Sequence, residues 1–344
     1  MTDNNNGVLV VVEVADGQPV DLGKEMLGLA RQLTENLGGT VTAVAFGAGL
    51  ENIGEILIAH GADQVLVNDN ALFADFHAES WLPDLSKIIS EVAPNVVLIG
   101  HSEPGTDLAP RLAFRLDVDV ATGCESIEII NGRPHMTRSC FGGLAREVVT
   151  FSKTPALATI RSKSQQALDP MMERVGEIQQ VSSILDGSSL RTRVVSRETE
   201  KADGAKMESA KIVIGGGLGL GGPEGFKTLN EIAELVDGAV GASRAACDLD
   251  WCPRSYQIGL SGRTVAPELY IAVGISGASH HMAGCGNSKT IVSVNTDPKA
   301  EIFKSSRFGI VGNSQEIMPA LAEEIRKLKA FSFLISSASA GIIS

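Results

Sequence analysis

The sequence predicts an α/β protein of two domains: a larger N-terminal one on a parallel sheet with an antiparallel extension, and a smaller C-terminal one on a second parallel sheet. Three observations predict it. Apolar, β-branched runs alternate with helical stretches as far as Leu116. Strand-like runs joined by Asn-Gly and Gly-Gly pairs follow. After a polar interruption, the strand and helix alternation resumes as far as Lys329. A length of 344 residues suits two or three such units, at roughly 100 to 200 residues each.

Val8 to Val14 reads as a buried strand ending at the turn-prone Asp16-Gly17, and Leu22 to Leu37 follows with helical spacing. Strand Thr40 to Phe46, helix Ile53 to His60, strand Gln64 to Val67, a helix near Leu85 to Val92 and strand Val96 to Gly100 continue the alternation. This spacing gives a parallel sheet covered on both faces. Beyond a helix at Leu108 to Leu116, strands are expected at Ser126 to Ile130, Pro134 to Cys140 and Glu147 to Phe151, extending the same sheet antiparallel. From Ser188 to Ser209 the apolar periodicity gives way to Arg, Glu, Lys and Ser, so the domain boundary falls near residue 205, giving domains over 1–205 and 210–330. The second domain reads as strand Lys211 to Ile214, helix Phe226 to Leu235, strand Tyr270 to Val273, a helix near Ala278, strands Thr290 to Val294 and Gly309 to Val311, and helix Glu316 to Lys329. The uncharged tail from Phe331 to Ser344 is too short to cross a bilayer and is expected to pack on a neighbour or fray.

Composition excludes several classes. With 44% apolar and 20% charged residues, the chain is neither disordered, collagenous nor a coiled coil. A net charge of -12 offers no general footprint for nucleic acid. Before residue 209 stand 17 basic and 29 acidic residues, against 12 of each from Lys211 to Lys329, so the second domain alone is free of net repulsion toward an anionic ligand. The five cysteines show no CxxC pair and no signal-like segment opens the chain, which fits a cytoplasmic protein. His280 and His281 lie near Cys285, but adjacent histidines on one turn diverge and no second ligand pair follows, so no metal site is expected.

Gly217-Leu218-Gly219-Leu220-Gly221-Gly222 fits GxGxxG after a predicted strand and before a helix, with Asp237 downstream where such a fingerprint has its ribose ligand. Glycines there let a backbone approach a diphosphate, and helix N-H groups meet its charge. The pattern suits nicotinamide or flavin binding, and equally a glycine turn that only shapes the chain. More informative are four clusters in a domain with 17 glycines: Gly241 to Arg244, Gln257 to Arg263, Ser276 to His281, and Asn295 to Asp297. The clusters are read as lying at strand ends, where an open α/β sheet binds ligands along one edge.

These clusters carry a family resemblance. The runs GASRAACD, QIGLSGRTVAPELYIAVGISGASHHMAG, SKTIVSVNTDPKAEIF and FGIVGN, in this order between Gly241 and Asn313, resemble the alpha subunits of electron transfer flavoproteins. GTDLAPRLAFRLD at Gly105 to Asp117, and Gly142-Gly143 leading to Thr159-Ile160-Arg161, agree more loosely, so the likeness extends through nearly the whole chain. It implies a nucleotide-hydrolase-like N-terminal domain pairing with a beta subunit, and a Rossmann-like C-terminal domain holding most of a noncovalent FAD. By the same resemblance, Ser243 and Arg244 lie beside the isoalloxazine, where a fixed cation favours the anionic reduced forms. Ser261 stands where the family bonds flavin N5, and His281 where an imidazole faces the O2 side. Ile258, Gly259, Leu260, Ser276, Gly277, Ala278, Ser279, His280 and Asn295 match further FAD-contacting positions, and Gly274 and Gly277 permit close backbone approach. Read without the resemblance, Arg244 is equally a surface residue, His281 a structural histidine, and Arg263 a surface, phosphate or partner contact.

Three departures stand out. Leu218 replaces a basic residue and Asn313 an aspartate at two FAD-contacting positions, and Ser162 replaces a favoured proline. The resemblance implies an electron carrier subunit: FAD shared with a beta subunit takes electrons from flavoprotein dehydrogenases of the acyl-CoA dehydrogenase type and passes them on. No catalytic residue is assigned, since Ser276 and His281 sit in no G-x-S-x-G elbow. Alternatives are a subunit of an NADH-dependent electron-bifurcating complex, a nicotinamide-dependent oxidoreductase with Asp237 on the ribose, and a docking module that has lost its nucleotide.

Overall fold

The computed structural model describes residues 7–141, 145–185, 190–192, 194–196 and 207–340, with side chains as far as Lys329. The chain divides into two compact units, Met1–Glu198 and Thr199–Ser344. Residue 205, most of the connection expected over Ser188 to Ser209 and the Gly142-Gly143 pair lie outside the described residues.

The first unit opens with β1 (Gly7–Val12), a ribbon of β2 (Val14–Ala15) and β3 (Gln18–Pro19), α1 (Asp21–Leu37), β4 (Thr40–Gly47), α2 (Ile53–Ala59) and β5 (Gln64–Asp69). It continues with α3 (Ala78–Val92), β6 (Val96–Gly100), α4 (Glu103–Leu116), β7 (Val120–Ile130), β8 (Arg133–Cys140), β9 (Ala145–Val149), β10 (Ala156–Ile160) and β11 (Glu177–Gln180). Nine strands form one sheet in the order β11-β5-β4-β1-β6-β10-β7-β8-β9. Alternation along β1 explains the two layers: Val8, Val10 and Val12 pack with Met26 and Leu29 of α1 and Leu57 of α2. Leu9 and Val11 pack on the other face with Trp81 and Leu85 of α3 and Leu112 of α4. Asp16 and Gly17 both have positive φ, as do Asn131 and Gly132, so each pair makes the tight turn that twisted antiparallel strands require.

The antiparallel extension is present, but it joins the sheet differently from the sequence reading. β10, where no strand was expected, lies parallel between β6 and β7, and β7 pairs parallel with β10 near its start and antiparallel with β8 beyond. β11 likewise adds an unexpected parallel edge beside β5. Both are short runs without alternation, one wholly buried and one wholly exposed, so periodicity cannot mark them.

The second unit contains β12 (Ile212–Gly216), α5 (Glu224–Leu235), β13 (Ala239–Ala242), α6 (Arg244–Asp248), β14 (Leu269–Val273), α7 (Ser279–Cys285), β15 (Ile291–Asn295), α8 (Ile302–Ser305), β16 (Phe308–Val311) and α9 (Ser314–Ala340). Five parallel strands run in the order β13-β12-β14-β15-β16. Phe226, Leu229 and Ile232 of α5 and Met318 and Ala322 of α9 cover one face, and Ile258, Ile275, Cys285 and Ile302 cover the other. The helix expected over Glu316 to Lys329 begins at Ser314 and runs on to Ala340, so the start of the apolar tail is helical backbone rather than a frayed end.

Candidate functional site

In the second sheet the chain reverses its direction across the sheet between β12 and β14, and such a switch point opens a crevice at the carboxyl ends of the strands. The predicted clusters all lie at those ends. Gly217 to Gly222 follows β12, Ser243 follows β13, Gly274 to Ala278 follows β14, Asn295 closes β15, and Asn313 follows β16.

The glycine-rich turn is shaped first by its neighbour. Gly217 N donates to Val273 O and Gly219 N to Gly274 O, each at 2.9 Å. A Cβ on Gly217 would stand 2.3 Å from the Gly274 carbonyl oxygen, and one on Gly219 2.6 Å from the Gly274 Cα. Gly274 itself has φ +64°, so both turns need glycine to lie against each other. Asp237 lies at the other end of its strand: it has positive φ in the turn that enters β13, whereas the glycine turn leaves β12. This corrects the reading of Asp237 as a ribose ligand, because strands that run parallel put those two turns on opposite edges of the sheet.

Ser243 begins α6 with its N-H donating to Gly216 O at 2.9 Å, and its hydroxyl makes no capping bond. Arg244 is exposed and donates through Nε to Asp248 Oδ2 at 3.2 Å, while Arg254 holds the other carboxylate oxygen at 3.3 Å. The loop from Gln257 to Arg263 is tied to the edge by Ile258 N on Ala242 O (2.9 Å) and Leu260 N on His280 O (2.7 Å). Ile258 and Gly259 are buried, whereas Leu260 and Ser261 are exposed. The buried Gln257 donates through Nε2 to Ser261 Oγ at 3.0 Å, which leaves the hydroxyl hydrogen free to donate outward. Arg263 bonds Ser255 O and pairs with Glu208, so its guanidinium is held within the second unit.

After β14, Gly277 has φ +86° and lies so close to α8 that a Cβ would be 2.2 Å from Ile302 N. Ser276 and Ala278 are exposed and Ser279 half-buried. His280 is exposed but His281 is buried, with Nε2 2.9 Å from Tyr270 Oη. Burial pushes the His281 imidazole down to about 4, against a smaller opposing contribution from the Ile258 backbone. Neutral histidine carries one N-H, and if the Tyr270 hydroxyl donates to Nε2, that hydrogen sits on Nδ1. Nδ1 is buried with no hydrogen-bond partner among the described residues. The Tyr270 hydroxyl fits because Gly215 lacks a Cβ, which would lie 2.0 Å from it. Among the described residues no hydrogen bond joins Ser276 to His281, whose Nε2 meets Tyr270.

Asn295 donates through Nδ2 to Ile275 O (2.9 Å) and accepts from Asp297 N (3.0 Å), fixing two loops of the edge. Asn313 caps α9 by accepting from Gln315 N at 3.0 Å. Ser314 Oγ donates to Gly219 O at 3.0 Å, which brings the start of α9 against the turn carrying Leu218. Two of the three departures from the family pattern, Leu218 and Asn313, therefore share one corner, beside a hollow of about 380 Å³ lined by Gly221, Gly222, Ser314 and Gln315. Tyr270, read from the sequence only as the start of a strand, bonds His281, and Gln257, read only as the opening of a cluster, bonds Ser261. The one available signal was a tyrosine in an otherwise aliphatic strand.

Among the described residues this edge presents hydroxyls, amides, the Arg244 guanidinium and glycine backbone. This is a protein of two open α/β units, the second with an open carboxyl edge at its switch point. A family model described as the electron transfer flavoprotein domain matches residues 8–185, and one described as the electron transfer flavoprotein FAD-binding domain matches residues 206–286. The chain is 39% identical to the electron transfer flavoprotein subunit alpha of Thermoanaerobacterium thermosaccharolyticum, covering 94% of this chain and 98% of that one. It is 37% identical to the Bacillus subtilis subunit alpha, over 94% and 99% of the two chains. It is also 31% identical to subunit LctC of the lactate dehydrogenase (NAD(+),ferredoxin) of Acetobacterium woodii, over 92% and 76%. The chain belongs to the electron transfer flavoprotein alpha-subunit family.

Proposed function

We propose that this chain binds FAD along the carboxyl edge of its second sheet and, paired with a beta subunit, carries electrons from flavoprotein dehydrogenases to a further redox partner. The observation that carries the reading is the convergence of Ser243, Ser261, His281, Asn295 and the Gly274–Gly277 backbone at one switch-point edge, with the buried Nδ1 of His281 left unpaired. A buried ring nitrogen without a partner costs ~1–3 kcal/mol in either tautomer, which a polar group on a bound ring would offset. Glycine turns allow close backbone approach, and the absence of net charge in this half of the sequence admits a diphosphate. The residues present therefore fit the cofactor.

FAD, when bound, would supply the reversible electron chemistry. The protein's part is positioning and charge: Arg244 sets a cation at the edge, Ser261 offers its hydrogen, and His281 stays neutral above about pH 4. Acyl-CoA dehydrogenases are the proposed donors, and the cytoplasm the proposed location, consistent with five free cysteines. No helix among the described residues is long and apolar enough to cross a membrane. A second reading, a subunit of an NADH-dependent bifurcating complex, is favoured by the likeness to the A. woodii subunit. Co-expression with a beta subunit, FAD counting and reduction by dithionite, a reduced acyl-CoA dehydrogenase or NADH separates them. One FAD per pair, reduced by the dehydrogenase and indifferent to NADH, is expected of the carrier. Two FADs with rapid NADH reduction would favour the second reading, and no bound flavin would overturn both.

A further inference from the structure

Cys247 and Cys252 lie at the end of α6 and in the loop that follows. Their sulfurs are 3.6 Å apart, and Cys247 Sγ is also 3.6 Å from Pro253 O. The contact is built by a tight turn: Asp250 N donates to Cys247 O at 3.0 Å, Trp251 N to Ala246 O at 3.1 Å, and Asp250 has φ +56°. Cys247 is buried and Cys252 half-buried in a loop whose Leu249 and Asp250 are exposed. A disulfide has its sulfurs about 2.0 Å apart, so closure asks for ~1.5 Å of approach, within reach of a short exposed loop.

The chemistry around the pair favours a reactive sulfur. In the contact of the two thiols, where either sulfur can donate, the hydrogen bond lowers the pKa of Cys247 and raises that of Cys252; burial and the Asp248 carboxylate oppose the lowering of Cys247, and the Arg254 guanidinium adds to it. The other cysteines differ. Burial pushes Cys124 and Cys285 up to about 12, and Cys140 stands alone with its sulfur 3.7 Å from the Glu147 carboxylate.

We propose that Cys247 and Cys252 are a redox-active dithiol that hydrogen peroxide converts to an intramolecular disulfide, fastening the helix that carries Arg244 to the loop that carries Arg254. The Cys247 thiolate attacks one peroxide oxygen, the O–O bond breaks, and the leaving hydroxide takes up the proton released from Cys247 to become water. Cys252 then attacks the sulfur of the resulting sulfenic acid; the S–S bond forms, the S–O bond breaks, and hydroxide leaves with the Cys252 proton as a second water. Two sulfurs lose two electrons and one peroxide becomes two waters. Both arginines already hold Asp248 between these cysteines, so closure tightens an existing arrangement. The inference does not depend on what occupies the sheet edge.

Peptide mass mapping tests it on the full chain with its partner subunit, treated with limiting peroxide in the native state and then alkylated. The expected result is the loss of two of the five alkylatable thiols, a linked peptide joining Cys247 to Cys252, and full recovery with dithiothreitol. Cys252→Ser should yield instead a sulfenic acid at Cys247 that dimedone traps. Alkylation of both cysteines at undiminished yield after peroxide, or a linkage that forms only in denaturant, would overturn the proposal.

Discussion

The two units solve the same topological problem with opposite chemistry. In the first, the order β5-β4-β1-β6-β10 also places a switch point, between β1 and β6. Its edge is closed by its own side chains. Ser102, the N-cap of α4, donates to the Glu13 carboxylate, and a Cβ on Gly100 would lie 2.9 Å from Glu13 Oε1. Glu25 accepts from Lys163 N at 2.8 Å and pairs with its ammonium at 3.6 Å, and His101 Nδ1 lies 2.9 Å from Thr159 Oγ1. Burial raises both carboxyls, Glu13 against its bond from Ser102 and Glu25 against those from Lys163. In the second unit, the turns after β12 and β14 contain no acidic residue, and Ser243, Ser261 and His281 keep hydrogen-bonding capacity unspent. On the proposed function, it is polar groups without internal partners that fit a sheet edge for an anion, and a switch point alone does not.

The largest effect that would break this contrast is backbone collapse at the open edge. Gly277→Ala puts a methyl 2.2 Å from Ile302 N at positive φ, and should lower the unfolding free energy by on the order of 3 kcal/mol in a denaturant titration. A loss below about 1 kcal/mol would mean that α8 can move aside.

Next comes proton uptake at His281. Its folded pKa, about 4, lies below the ordinary imidazole value of about 6.5, so the unfolded chain binds the proton first. The contribution is complete above about pH 6.5 and falls as the pH drops toward 4, amounting to about 3 kcal/mol in all. His281→Gln should flatten that part of the stability profile. An unchanged slope between pH 6.5 and 4 would assign it to groups other than His281, and not to the raised carboxyls of the first unit, which take up protons first in the folded state and so stabilise it as the pH falls.

Restoring a cation at the shared corner sharpens the comparison. Leu218→Arg beside Asn313 adds a charge-assisted donor worth ~1.5–3 kcal/mol when made, so FAD should bind roughly 10- to 100-fold more tightly by fluorescence titration. The smallest expected change is at the exposed Arg244: Arg244→Ala should lower the flavin potential by some tens of millivolts, on a scale of about 30 mV per 1.4 kcal/mol for two electrons. Spectroelectrochemistry showing no shift would mean that the guanidinium serves only Asp248.

Much of this was legible in the sequence because it rests on local rules. Asn131-Gly132 had to turn, the Val8 to Val12 run had to be buried on both faces, and the glycine clusters had to fall at strand ends. What stayed hidden depends on contacts between distant segments. β10 is a five-residue run whose place between β6 and β7 is set by its neighbours, and Asp237 could be seen at its spacing but not on the wrong edge. The bond between Tyr270 and His281 spans a strand and a helix, and the sulfur contact of Cys247 and Cys252 depends on positive φ at Asp250. Neither leaves a periodic trace.

The most direct test of the central claim is hydrogen exchange on the full chain with its partner subunit, comparing the flavin-loaded protein with the flavin-stripped one. Slower exchange at residues 243–244, 257–262 and 274–281 on FAD binding, with residues 13–17 and 100–106 of the first unit unchanged, is the predicted result. Protection confined to the first unit's edge, or none in the second, would contradict it.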